Sequence, residues 1–134
     1  MEIFFTPRDR TKFIIWLLQK SNENGWTLVF EYSSDETFGF ISKIGTEVPL
    51  PIDGGHQYDP ACRLTAIINI TFTDKTINEI MLSTHALSVY DNEEMLFLIA
   101  DDFHEECFSS SMDFYDNNQK TISDMKLADI YLLD

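Results

Sequence analysis

Cysteine and positive charge are scarce in this sequence, and long apolar runs are missing altogether. Its two cysteines, Cys62 and Cys107, stand forty-five positions apart. Such spacing builds neither a disulfide framework nor a zinc site, so both read as reduced thiols. The one stretch that could suggest an export signal is the basic run Arg8 to Lys12 followed by Phe13 to Leu18, and no small-residue cleavage site follows it. Its apolar part is also far short of the roughly 20 residues a membrane helix needs. The expectation is a cytoplasmic protein with no membrane contact. The four prolines and five glycines are too few for a fibrous or proline-rich disordered chain, and three of each fall between Gly45 and Arg63.

Only 9 Lys and Arg residues face 23 Asp and Glu, which gives a formal net charge of −14. A field of that sign repels nucleic-acid backbones and anionic membranes and steers basic partners inward. Direct nucleic-acid binding is therefore not expected. The charge is also unevenly placed. Asp91 to Asp116 carries nine acidic residues and no Lys or Arg, whereas Arg8, Arg10, Lys12 and Lys20 put four of the nine basic residues near the start.

Aromatic residues are plentiful, with 11 Phe, 5 Tyr and 2 Trp among 134 residues. They can supply a real core for one domain spanning 1–134, since a chain of this size buries roughly two-thirds of its unfolded surface. Thr6 as cap, Pro7 at the first helical position and the apolar residues Phe13, Trp16 and Leu17 predict a helix over 7–21. The period then changes to two. Trp26 to Tyr32 and Phe38 to Ile44 read as a hairpin joined by Ser33 to Glu36. Gly45 to Arg63 reads as an irregular loop, of a length that is often functional.

Leu64 to Phe72 is the cleanest strand. Thr73 to Thr76 reads as a turn. Ile77 to Leu82 and Ala86 to Tyr90 read as one interrupted strand, although Ile77, Ile80 and Met81 also fit a helical face. Asp91 to Glu94 connects to Met95 to Ala100, an unbroken apolar run suited to a central strand. Periodicity is lost from Asp101 to Asn118. Thr121 to Asp124 resembles a short capped turn, and Leu127 to Leu133 closes the chain as a strand. The elements sum to an α+β domain: an N-terminal helix packed on a mostly antiparallel sheet of about six strands.

No catalytic signature names a reaction. Asp101, Asp102, His104, Glu105, Glu106 and Cys107 collect metal-ligand side chains within seven residues, but a compact loop seldom aims them at one point, and His56 and His85 stand at no recognisable ligand spacing. Four nearby carboxylates disfavour a Cys107 thiolate. Gly54 and Gly55 lack the Lys and Ser or Thr of a phosphate loop. A non-enzymatic chain with no cofactor is expected. What remains is an acidic surface interleaved with aromatics, which suits a protein interface, since desolvated aromatic anchors give affinity and charge complementarity gives specificity. The candidate partner-binding residues are Asp91, Glu93, Glu94, Asp101, Asp102, Phe103, Glu105, Glu106, Phe108, Asp113, Tyr115 and Asp116, with Tyr90 among them in sequence.

In size, acidity, lack of a catalytic motif and mixed α+β pattern, the chain resembles the small immunity proteins that bacteria make to neutralise toxic nuclease domains, including those of contact-dependent growth inhibition systems. The resemblance implies a cytoplasmic inhibitor that binds a cognate toxin, often a basic nuclease domain, and blocks it without doing chemistry. Two other readings use the same residues. A nucleic-acid mimic or anti-defence protein would space its carboxylates like phosphates, and a metal-dependent hydrolase would need His104 and its neighbouring acids to meet His56 or His85.

Overall fold

A computed structural model describes residues 3–32, 39–48, 61–65, 67, 72–100, 103, 107–124 and 127–132. The chain opens with a strand, β1 (Ile3–Pro7), which buries Ile3 and Phe5 on one face. The helix expected from residue 7 begins later because Pro7, whose fixed φ suits a strand end as well as a first helical turn, pairs with Leu127 instead. The cap is Asp9, not Thr6: its carboxylate accepts from the Lys12 N–H at 3.0 Å. Helix α1 (Arg10–Asn24) ends where Gly25 takes φ 67 and its N–H reaches the Ser21 carbonyl, a conformation that carries no Cβ penalty at glycine.

Strand β2 (Thr27–Glu31) follows, but the expected hairpin partner does not. Residues 39–41 form a helical turn, with Ile41 and Ile44 pointing into the core. The expected irregular loop contains a short strand, β3 (Thr46–Val48), and the start of β4 (Ala61–Thr65); its middle lies outside the described residues. Most of the rest of the expected strand Leu64 to Phe72 also falls outside them, and neither Ile67 nor Phe72 is in a strand.

The interrupted strand at Ile77 to Leu82 is a helix, α2 (Asp74–Ser83), opened by a capping box in which Thr73 and Thr76 exchange side-chain and backbone bonds. Strands β5 (Ala86–Asp91) and β6 (Glu94–Ile99) then form a hairpin. The segment without visible period contains β7 (Phe108–Ser110) and α3 (Met112–Asp124), which runs through the short capped turn expected at Thr121 to Asp124. Strand β8 (Leu127–Leu132) closes the chain.

Among the described residues the eight strands form one sheet in the order β3-β4-β2-β5-β6-β7-β1-β8, with every neighbouring pair antiparallel. The architecture is α+β with the N-terminal helix on the sheet, as the sequence predicts, but with more strands and not as a simple meander. Three helices make crossovers: α1 links β1 to β2, α2 links β4 to β5, and α3 links β7 to β8. Each joins parallel strands that are not neighbours. Right-handed crossovers place all three on the same face, and one core agrees with that placement. Phe13 and Leu17 of α1, Ile77 and Ile80 of α2, and Phe114 and Ile122 of α3 belong to a single buried cluster with Phe5, Leu28, Phe30, Leu64, Val89, Phe97 and Phe108 of the sheet. At its centre Phe5, Phe13, Phe97 and Phe108 pack with centroids 5.1 to 6.4 Å apart.

Candidate acidic cleft

The β5–β6 turn is short because Asn92 accepts φ 56, a left-handed conformation that asparagine tolerates better than most residues. The register then slips: Val89 faces Phe97 and Tyr90 faces Met95, so Leu96 is the extra residue of a β-bulge. The bulge turns the Leu96 carbonyl to the Ser111 N–H at 3.0 Å. Ser111 in turn opens α3, its hydroxyl accepting from the Phe114 N–H at 3.2 Å and its carbonyl from the Tyr115 N–H at 3.1 Å. One irregular residue in a strand thus fixes where the next helix begins.

Between the last turns of α1, this hairpin and the first two turns of α3 lies a cleft of about 410 Å³, lined by Lys20, Asn24, Trp26, Asp91, Glu94, Leu96, Asp113, Phe114, Asn117 and Asn118. Trp26 and Phe114, with centroids 5.6 Å apart, form an apolar floor. Three carboxylates stand on the walls, and Lys20 is the one cation among the lining residues. The carbonyl end of α1 and the first turn of α3 both border the cleft, so the two helix dipoles act on it with opposite sign. The amide nitrogens of Asn24 and Asn118 are committed to helix carbonyls, Lys20 O at 2.9 Å and Phe114 O at 2.8 Å.

Of the residues singled out from sequence, the structure brings Asp91, Glu94 and Asp113 into this cleft from both ends of the acidic segment. Glu93 and Asp116 are exposed just outside it. Tyr115 is half-buried against the core. Phe103 and Phe108 are core residues rather than surface anchors: Phe103 is 1% and Phe108 0% exposed. Phe103 holds φ 62, and its carbonyl receives the Arg10 guanidinium at 2.8 Å. Asp101, Asp102, Glu105 and Glu106 lie outside the described residues. Trp26, Lys20 and the three asparagines are not among the residues singled out as partner-binding; Lys20, Asn24 and Trp26 come from a distant segment, whereas Asn117 and Asn118 follow Asp113 on α3.

Elsewhere, burial pushes the Cys62 thiol up to about 11, with the Glu47 carboxylate adding to the shift. Such a thiol is a poor nucleophile at neutral pH. Burial also raises Tyr90, opposed by its hydrogen bond with Ser88 and by Arg63, while Glu31 adds to the rise. Among the described residues no three His, Cys, Asp or Glu side chains are grouped to hold a metal, and no helix is long and apolar enough to cross a membrane. Comparison with protein-family models, curated proteins and solved structures finds no match.

Proposed function

We propose that this protein is a non-enzymatic inhibitor of the immunity type, which binds a cognate, basic toxin domain in the cytoplasm and blocks its active or substrate-binding surface. The observation that carries the reading is the acidic cleft. Three carboxylates stand around two packed aromatic rings, on a framework of helix, hairpin and helix that a bulge and a cap hold in place. Acids of this kind, together with the net charge of −14, raise the encounter rate with a basic protein.

Co-expression with the toxin encoded by the adjacent gene tests it. The expected result is restored growth and a complex that survives gel filtration. Charge reversal at Asp91 and Asp113 to Lys should weaken that complex by about 100-fold or more, because like charges then meet in a partly desolvated contact. Thermal stability should stay within about 0.5 kcal/mol of wild type, as is usual at exposed positions. Growth arrest despite a soluble, folded inhibitor would sink the reading.

A further inference from the structure

Helix α1 runs out on a chemically reactive pair. Asn24–Gly25 is the one Asn-Gly pair in the 134 residues, and both of its members are exposed. The carboxamide carbon of an asparagine stands one five-membered ring closure away from the backbone nitrogen of the next residue. Where that residue is glycine, no side chain shields the nitrogen. The other exposed asparagines, Asn22, Asn78, Asn92 and Asn117, are followed by Glu23, Glu79, Glu93 and Asn118, whose side chains do shield it.

Only the last turn of the helix keeps the two reacting groups occupied. The Asn24 side-chain nitrogen donates to the Lys20 carbonyl at 2.9 Å, while the Gly25 N–H donates to the Ser21 carbonyl, which also receives the Trp26 N–H at 2.9 Å. Gly25 holds φ 67 with open space where a Cβ would stand, so no packed side chain clamps this end. Terminal turns of this kind open at free energies near zero.

We propose that Asn24–Gly25 is a self-modification site, at which fraying of the last turn of α1 lets the chain convert Asn24 into an aspartyl or isoaspartyl residue. The Gly25 nitrogen gives its proton to solvent and attacks the Asn24 carboxamide carbon. A C–N bond forms, the bond to Nδ2 breaks, and Nδ2 takes a proton from solvent and leaves as ammonia, so a succinimide results. Water then opens the ring at either carbonyl. Either product puts a carboxylate where a donor met the Lys20 carbonyl, at the helix end whose dipole disfavours negative charge. The last turn of α1 is thereby loosened beside the cleft that Asn24 lines. The inference goes beyond the inhibitor reading and involves no partner.

The experiment incubates the full chain in mildly alkaline buffer, with and without urea, and maps peptides by mass for the one-dalton gain, with isoaspartyl methyltransferase marking the isoaspartyl product. Conversion at residue 24 is expected ahead of Asn78 and Asn92, and slower in the native chain than in urea by less than about tenfold, since frayed helix ends are weakly protected. Gly25→Ala should halt it. Because alanine is strained at φ 67, Asn24→Gln serves as the second variant: it keeps the glycine, must close a six-membered ring, and should halt conversion too. Asn24→Asp, which imitates one product, should melt below wild type. A native chain that stays unmodified while the urea sample converts, conversion at Asn78 or Asn92 as fast as at residue 24, or undiminished conversion in Asn24→Gln would each overturn the site. An Asn24→Asp chain that melts with wild type would overturn the loosening.

Discussion

Asn22, near the end of α1, meets both backbone groups of Ile67, donating from its amide to the carbonyl and accepting from the N–H at 2.8 Å each. Its side chain stands in for a strand partner just where β4 has ended, and ties the chain leaving the sheet to the helix above. Asn22→Ala leaves two backbone groups to find water at a site where the Ile67 side chain is fully buried. The expected cost is about 1–3 kcal/mol, read as a lower urea midpoint. Asn22→Asp should cost at least as much, since a carboxylate then faces the Ile67 carbonyl. Cys62 offers a test of a different kind. Its thiol ionises near 9 when unfolded and near 11 when folded. Between those values the unfolded state releases a proton that the native state keeps, so stability falls as pH rises through that window, by at most about 1.4 kcal/mol per unit. Below pH 9 the group contributes no slope. Urea melts at pH 8 and pH 10.5 should show this fall, reduced in Cys62→Val; an identical slope in the variant would place the effect elsewhere, Tyr90 being the next candidate.

Elements were legible where a single physical cause dominated. The apolar runs at β5 and β6 can be read directly, and the alternation in β2 marks the face that Leu28 and Phe30 give to the core, although all five of its residues are buried. Ile77 and Ile80 are three apart, which suits a helix, yet β-branched residues favour strands; the Thr73–Thr76 capping box resolves the conflict. Helix α3 stayed hidden because Phe114 and Ile122 are its only fully buried apolar residues. The cleft was half legible: its acids show in the composition, but its floor depends on tertiary register. The open edge of the sheet carries a further test. Strand β8 has one neighbour among the described residues, β1, and the register passes from Phe5–Ile130 to Thr6–Ala128, so Asp129 is a bulged residue. A bulge and a charge are common means of blunting an edge. Deleting Asp129 would restore an unbroken register along this edge, and light scattering should show self-association exceeding that of wild type at equal concentration. Unchanged mass over a tenfold range of about 10–100 μM, where exposed edges associate, would show that the edge is protected in another way.

At the scale of the whole molecule, a net charge of −14 on 134 residues opposes compactness through self-repulsion. Salt shortens the reach of that repulsion from about 30 Å at 0.01 M to about 3 Å at 1 M. The melting temperature should therefore rise steadily with sodium chloride, while association with a basic partner slows. A melting temperature independent of salt would mean that local pairing already offsets the repulsion.

The strand order also has a consequence for biosynthesis. Strand β1 is made first, yet its two neighbours are β7 and β8, whose residues lie more than a hundred positions later. Emerging from the ribosome, Ile3 and Phe5 have no sheet neighbours to join until β7 and β8 have been synthesised. The β5–β6 hairpin can close long before, so local pairing precedes the long-range closure that loop entropy makes slow. Until β7 and β8 have emerged, the apolar first strand and the helix that follows it lack their final cover.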